Sequence, residues 1–528
     1  MLTLRFGAAA ALLLTVLVGL NAPTWEYGFV YDDHAVILER QPAWQQGWTT
    51  FLTTRQWGTG RHVLALSMDL NRTDPLSARA FHVVNTMLAG LVTVLVFALA
   101  LTLGISLPGA WIGALLFAVH PVHADAVVSI VGRAELLAAV GVLGCVLLHA
   151  RDYPAPRFSI PLAAVLFAVA LGSKENALAL FLILILFDLI FGGRRNGQRG
   201  WSPYLAYAAI AAGWLALVYP HIGELAPIVY VDNPLASLSP LERSMKACAV
   251  LWQYVAITLV PVALKADRSY ATTDPSYMSG VVGTVAWLFV ALLCWRMRGR
   301  APRAVFAAAW FPAAFAVTAN VAFPIGTIMA ERLVFLPSVG LALLAAMAFE
   351  VASKRGQVAR AASLSAVAAA AVVLAFAYNA RGRVWINDAH YHRVTTLDSP
   401  RSAKAHYDRG LFLARENDLD GAQAEFRRAL KIYPAFSRAA YYLAATFVRQ
   451  NRQQQAIDVY DAYLKVEPDD IGVLSQLAAL QLALDRFAEA HETAERLVAL
   501  DPDNLDHRRL LVLVETRAQE HARQVLNP

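Results

Sequence analysis

FHVVNTMLAGLVTVLVFALALTL, residues 81–103, runs for 23 positions without an Asp, Glu, Lys or Arg. As an α-helix it would rise about 35 Å, enough to cross a hydrocarbon core of roughly 30 Å. Comparable apolar runs occupy 6–20, 108–119, 136–149, 158–171, 177–191, 204–219, 280–295, 305–320, 333–349 and 358–378. Together they make eleven candidate spans ahead of residue 380 in a chain of 528. Several are shorter than the about 20 residues a straight crossing needs, so their ends must extend into polar flanks or be shielded by neighbouring helices. The chain is 58% hydrophobic and 16% charged, with a mean hydropathy of +0.47, which excludes an ordinary soluble globular protein.

The net charge of +6 does not point to nucleic acid, because the basic residues sit in short loops beside apolar runs and set membrane orientation. Arg5, then Arg151 and Arg157, then Arg194, Arg195 and Arg199, then Lys354, Arg355 and Arg360 all fall in cytoplasmic segments, alternating with external loops, if the N-terminus is cytoplasmic. The run 6–20 also has the character of a signal-peptide core, but no small-residue cleavage site precedes Trp25, so a retained helix is expected. Residues 247–264 are apolar enough to cross. A crossing there would carry Arg296, Arg298, Arg300 and Arg303 to the outside, so this segment is expected to be re-entrant or to lie along the external surface. Cys145, Cys248 and Cys294 lie in or beside apolar runs with no CxxC spacing, which argues against a disulfide framework and a thiolate metal site.

The tail has a different period. Pro434, Pro468 and Pro502 recur every 34 residues, the length of a tetratricopeptide repeat. The internal pattern agrees: Gly410, Ala422, Phe426 and Ala429 in the first repeat, Leu443, Ala444, Ala456 and Tyr460 in the second, and Leu477, Ala478, Ala490 and Leu497 in the third. Small residues let paired helices approach, and each proline closes the second helix. The expected organisation is all-α: a polytopic helical domain at 1–380 whose first external loop is 25–80, a linker helix at 381–402, and a C-terminal α-solenoid at 403–528. That solenoid has repeats at 403–436, 437–470 and 471–504 plus a capping helix.

This topology gathers an unusual polar set on the external side: Asp32, Asp33 and His34; His120, His123, Asp125, Arg133 and Glu135; Lys174 and Glu175; Glu224; Lys265, Asp267 and Arg268; Glu331 and Arg332. Paired acids, histidines and isolated bases fit a site that binds an anionic group and removes a proton. Each cluster has a plainer reading. Asp32 and Asp33 could form a solvated turn, His120 and His123 could end a helix at the interface, and Lys174–Glu175 and Glu331–Arg332 could be interfacial ion pairs worth little. His120, His123 and Asp125, with Asp33, leave a divalent metal open, although Pro121 breaks the regular helical face that would align the histidines.

In order, Tyr31-Asp32-Asp33, His120-Pro121-Val122-His123-Ala124-Asp125, Gly132-Arg133-Ala134-Glu135, Ser173-Lys174-Glu175 and Glu331-Arg332-Leu333, followed by tetratricopeptide repeats, resemble the transmembrane and tetratricopeptide repeat-containing O-mannosyltransferases. Asp125 stands where that family commonly has Glu, and the tail holds about three clear repeats where animal members usually have more. The resemblance implies a GT-C glycosyltransferase that takes its sugar from a polyprenyl-phosphate donor and inverts the anomeric centre. It implies catalysis by Asp32 or Asp33, and donor or acceptor contacts from His120, His123, Asp125, Arg133, Glu135, Lys174, Glu175, Arg268, Glu331 and Arg332. It also implies a protein acceptor bound through the repeats, with no certain cofactor. A lipid-linked glycan ligase or polymerase is the rival enzyme reading, and an assembly scaffold or transporter the non-enzymatic one. The Ala- and Arg-rich composition and short tail point to a bacterial inner membrane with a periplasmic site, and an endoplasmic reticulum membrane with a lumenal site is the alternative.

Overall fold

A computed structural model describes residues 2–53, 60–73, 75–150, 159–192, 202–219 and 228–526. Arg151, Arg157, Arg194, Arg195, Arg199, Trp57 and Glu224 lie outside the described residues. The described residues contain helices and turns and no strand. The chain divides into two compact units, residues 1–268 with 273–391, and residues 269–272 with 392–528.

The first unit contains α1 (Leu2–Asn21), α2 (Ala78–Thr102), α3 (Leu107–Ala118), α4 (Arg133–Ala150), α5 (Ser159–Leu171), α6 (Leu180–Phe191), α7 (Ser202–Val218), α8 (Pro240–Leu259), α9 (Tyr277–Met297), α10 (Pro302–Phe315), α11 (Ser338–Ser353) and α12 (Gln357–Gly382). Each of the eleven expected runs falls on one of these helices, and 247–264 falls on α8. Five helical stretches are long and apolar enough to cross a membrane, at Leu4–Glu26, Ala78–Thr102, Ile130–Ala150, Tyr277–Met297 and Gln357–Trp385. A sixth results if Leu107–Ala118 and Pro121–Val127, bent by 52° at His120, act as one span. Ser159–Leu171, Ser202–Val218 and Ser338–Ser353 are apolar but shorter. The chain is a multi-pass membrane protein.

Close helix approach in this unit depends on small residues, since lipid tails are as apolar as leucine and offer no hydrophobic gain for burying one helix on another. Gly113 of α3 shows the geometry: a Cβ there would come within 2.7 Å of the Ala342 carbonyl oxygen of α11. The ends near the external loop are tied by polar groups, with the Tyr378 hydroxyl donating to Asn21 Oδ1 at 2.7 Å between α12 and α1.

Helices α8 and α9 are consecutive yet run in the same direction at their contact. Gly280 lies against Met245, Gly283 against Ala249, and the Trp287 ring stacks on Trp252 with centroids 4.6 Å apart, so residue numbers rise together along both helices. The segment 260–276 must therefore return to the level at which α8 began. Helix α8 plus its return makes no net crossing, the property expected of 247–264. The buried face of α8, including Val250, Leu251 and Tyr254, packs with Phe311 and Phe315 of α10.

In the second unit, the repeats are α14 (Ala403–Arg415) with α15 (Leu419–Ile432), α16 (Ser437–Arg449) with α17 (Gln453–Leu464), and α18 (Ile471–Ala483) with α19 (Phe487–Leu500), followed by α20 (Leu505–Leu526). The preceding helix α13 (Asp388–Asp398) contains the boundary between units, so the membrane unit continues past residue 380 through Tyr391. Asn417, Asn451 and Asp485, spaced 34 apart, all have left-handed backbones (φ 65°, 57° and 56°) at the turn between paired helices. The next amide in each case reaches back to the same carbonyl position: Asp418 to Leu413, Arg452 to Phe447 and Arg486 to Gln481, each at 2.9 Å. This is a Schellman-type C-cap, and Asn or Asp tolerates the left-handed position better than other side chains except Gly.

Candidate active site

Phe29, Val36 and Ile37 anchor the first external loop by packing with Leu64, Met68, Phe81 and Ile130. Full burial of one such side chain stabilises by roughly 1.5–3 kcal/mol. Between these anchors Tyr31 takes a left-handed backbone (φ 55°), which turns the chain so that adjacent carboxylates meet different surroundings. Asp32 is exposed and Asp33 is only 2% exposed. Asp33 Oδ2 accepts from the Val30 amide at 2.9 Å, while Oδ1 is buried without a partner. Burial, with the nearby charges of Asp32 and Asp388, pushes the Asp33 carboxyl up to about 8 against the backbone amides of Val30 and Val131. The pair is thus divided into a neutral, turn-holding acid and an exposed one.

Asp388, at the start of α13, grips the loop with both oxygens: Oδ1 accepts from the Tyr31 amide at 2.8 Å, and Oδ2 meets His34 Nε2 at 2.5 Å. The Tyr31 ring stacks on Tyr391 at 5.1 Å.

Glu331 and Arg332 open a short 3-10 turn before α11. Glu331 is buried, accepting from Arg381 Nε at 2.9 Å and from the Lys265 amide, with Arg268 at 3.8 Å. Burial raises its pKa, Asp125 adds to this, and Arg381 and Arg268 oppose it. Arg332 is held by its backbone, whose amide donates to Asp125 Oδ2 at 3.0 Å. Its side chain is 38% exposed, and its guanidinium has Asp125 only at 3.8 Å. Burial works against the Arg332 charge, but Asp125, Asp32 and Glu135 outweigh it and raise its pKa, so Asp32 lies within electrostatic reach of Arg332.

A second acid–base group lies beside this one. Lys174 pairs with Glu135, whose other oxygen accepts from Asn176 at 2.8 Å. Glu175 binds Arg61 through two bonds, at 3.0 and 2.7 Å. Burial opposes ionisation of Glu175, but the Arg61 charge and bonds together with Lys174 hold its pKa down at about 2.

Three expected residues are committed to the framework. Arg133 is 0% exposed and donates to Asn85 at 2.8 Å, Ser67 O at 2.9 Å, Asn71 at 2.7 Å and Phe81 O at 3.0 Å. His120 uses Nε2 on the Thr258 carbonyl at 2.8 Å and Nδ1 to accept the Val122 amide at 3.3 Å. His123 uses Nδ1 on the Phe117 carbonyl and Nε2 on the Ser338 hydroxyl, both at 2.8 Å. Metal binding by Asp33, His120, His123 and Asp125 would require breaking these bonds, and no group of three His, Cys, Asp or Glu among the described residues is arranged to hold an ion.

The structure therefore brings together Asp32, Asp125, Glu135, Lys174, Glu175, Arg268, Glu331 and Arg332, and places Asp33, His120, His123 and Arg133 in support. Sequence reasoning missed Arg61, Arg381 and Asp388. Arg61 is one of five arginines in the loop 25–80, with nothing in its neighbours to single it out, and the other two fall in the stretch read as a linker.

Against known proteins, a tetratricopeptide repeat model matches residues 413–472. Human "Protein O-mannosyl-transferase TMTC3" is 24% identical across 93% of this chain and 60% of its own length. Over most of its length, the chain is TMTC-like. Caenorhabditis elegans "Protein O-mannosyl-transferase F38B6.6" is 26% identical over 62% of this chain and 46% of its own. Drosophila melanogaster "Protein O-mannosyl-transferase Tmtc2" is 32% identical over 40% and 25%. This chain spans about half the length of the curated relatives it matches.

Proposed function

We propose that this protein transfers a hexose, mannose by analogy with its relatives, from a polyprenyl-phosphate donor to a Ser or Thr hydroxyl of an extracytoplasmic protein. The observation that carries this reading is the exposed Asp32 within electrostatic reach of Arg332, whose guanidinium is partly exposed and held by its backbone rather than by side-chain hydrogen bonds.

In the reaction, Asp32 takes the hydroxyl proton as the oxygen attacks the anomeric carbon. The bond from that carbon to the phosphate oxygen breaks, and the lipid phosphate leaves with the electron pair. Attack opposite the leaving group inverts the centre. Arg332 binds the departing phosphate through parallel donors, a task its planar fork performs better than an ammonium. Asp125 and Glu331 fix the Arg332 turn, and Lys174 and Arg268 add positive potential. The proposed reaction runs on Asp32 and Arg332 without a metal step, because the histidines are committed to hydrogen bonds within the protein.

The repeats would bind the acceptor polypeptide and raise its local concentration. The positive-inside reading of the basic loops supports an external site, which would be periplasmic in a bacterial inner membrane or lumenal in the endoplasmic reticulum. The test is transfer of radiolabelled mannose from polyprenyl phosphate to protein in proteoliposomes. The reading expects label in protein with the wild-type chain and none with a well-folded Asp32→Asn variant. Equal labelling by the two would overturn it.

A further inference from the structure

The first unit carries a second concavity, at the end of the helices away from Asp32 and Arg332. It has a volume of about 620 Å³, within the range of about 300–1,000 Å³ usual for ligand pockets. Ala8, Ala9 and Leu12 of α1, Leu107 and Trp111 of α3, and Leu364 of α12 are among its lining residues, and the lining is almost wholly apolar. The lining of α1 and α12 comes from their earlier halves and that of α3 from most of its length, whereas the later ends of the three helices lead to the external loop, His120 and Arg381. The groove therefore belongs to the cytoplasmic half of the unit in the orientation set by the basic loops.

Two cations stand at its edge. Arg5 is three and four residues before Ala8 and Ala9, and Arg360 is four before Leu364. These spacings place each arginine one helical turn beyond the lining, on the same face. Both are exposed. An apolar channel among lipid-facing helices, rimmed by arginines at headgroup depth, matches a molecule with a hydrocarbon chain and a phosphate.

We propose that this groove binds one acyl chain of an anionic phospholipid, with the headgroup phosphate held by Arg5 and Arg360. Its position away from Asp32 makes the proposal independent of the transfer reaction. Trp111 closes the wall, its indole donating to the Ala9 carbonyl at 3.2 Å, and so supplies a reporter.

The test uses the full-length protein in nanodiscs of mixed phosphatidylglycerol and phosphatidylcholine. Native mass spectrometry should show phosphatidylglycerol retained over phosphatidylcholine, and the Arg5→Gln/Arg360→Gln protein should lose that preference about thirtyfold, from about 1 kcal/mol for each of the two basic residues. Equal retention of the two lipids by the wild type, or an unchanged preference in the double variant, would overturn the proposal, as would selective retention of polyprenyl phosphate there. In the wild type, brominated phosphatidylglycerol should quench a fluorescence component that Trp111→Phe removes. Equal quenching by brominated phosphatidylcholine, or none, also counts against it.

Discussion

His34 Nε2 lies 2.5 Å from Asp388 Oδ2, although the two residues are 354 positions apart. The other Asp388 oxygen holds the Tyr31 amide, so one carboxylate determines where Asp32 points. We expect Asp388→Asn to reduce transfer by about 10²-fold, the effect of a displacement near 1 Å at a reacting group. Steady-state kinetics in proteoliposomes checks this, with kcat falling more than KM rises for the donor.

Asp32→Asn should lower kcat by about 10² to 10⁴ while leaving the unfolding temperature unchanged, since an exposed carboxylate contributes to chemistry more than to packing. Parallel activity and thermal-shift measurements separate the two effects.

Arg332→Lys keeps a charge and loses the planar fork. Donor KM should rise about tenfold or more with acceptor KM unaffected, as read in assays varying each substrate. An unchanged donor KM would remove phosphate binding from Arg332.

Asp33 and Glu175 give opposite pH dependences of stability. The folded-state pKa of Asp33 is raised from 3.8 to about 8, so between those values the folded protein binds a proton that the unfolded chain has released. Its contribution to stability is fully present below about 4 and is lost as pH rises through about 8. For Glu175, lowered from 4.5 to about 2, the contribution is present above 4.5 and is lost as pH falls through 2. Thermal unfolding in detergent across this range should show Asp33→Asn flattening the fall in stability between pH about 4 and 8, and Glu175→Gln flattening the fall between about 4.5 and 2.

Arg133→Met should prevent accumulation of folded protein. It strips donors from Asn85, Asn71 and two buried carbonyls. Each orphaned group costs about 1–3 kcal/mol. Size-exclusion chromatography of a fluorescent fusion gives the readout.

Much of this fold was legible because its signals are periodic. The apolar runs located the long helices of the first unit but not short ones such as His62–Asp69, and three prolines set the repeat register. Membrane crossing was less legible, since helices such as Ser159–Leu171 are shorter than a bilayer and depend on neighbours that hydropathy does not describe. The site was legible as a set of residue types but not as a set of roles. Nothing in the order Asp32-Asp33 says which carboxylate is buried; that follows from the left-handed Tyr31 and the packing of Ile37. Arg133 looked like a donor-binding cation until Asn85 and Asn71 were seen to absorb its fork. Asp388 carried no local signal, because its partners lie at the far end of the sequence.

The left-handed turns at Asn417, Asn451 and Asp485 make the tail a chain of interchangeable segments. Since the backbone turns repeat every 34 residues, excision of residues 437–470 would join α15 to α18 in phase. Removing one residue more or fewer would rotate every later helix by about 100° and turn its buried face outward. The length of this tail can therefore change by whole repeats without altering the membrane unit, leaving reach and chemistry free to vary separately.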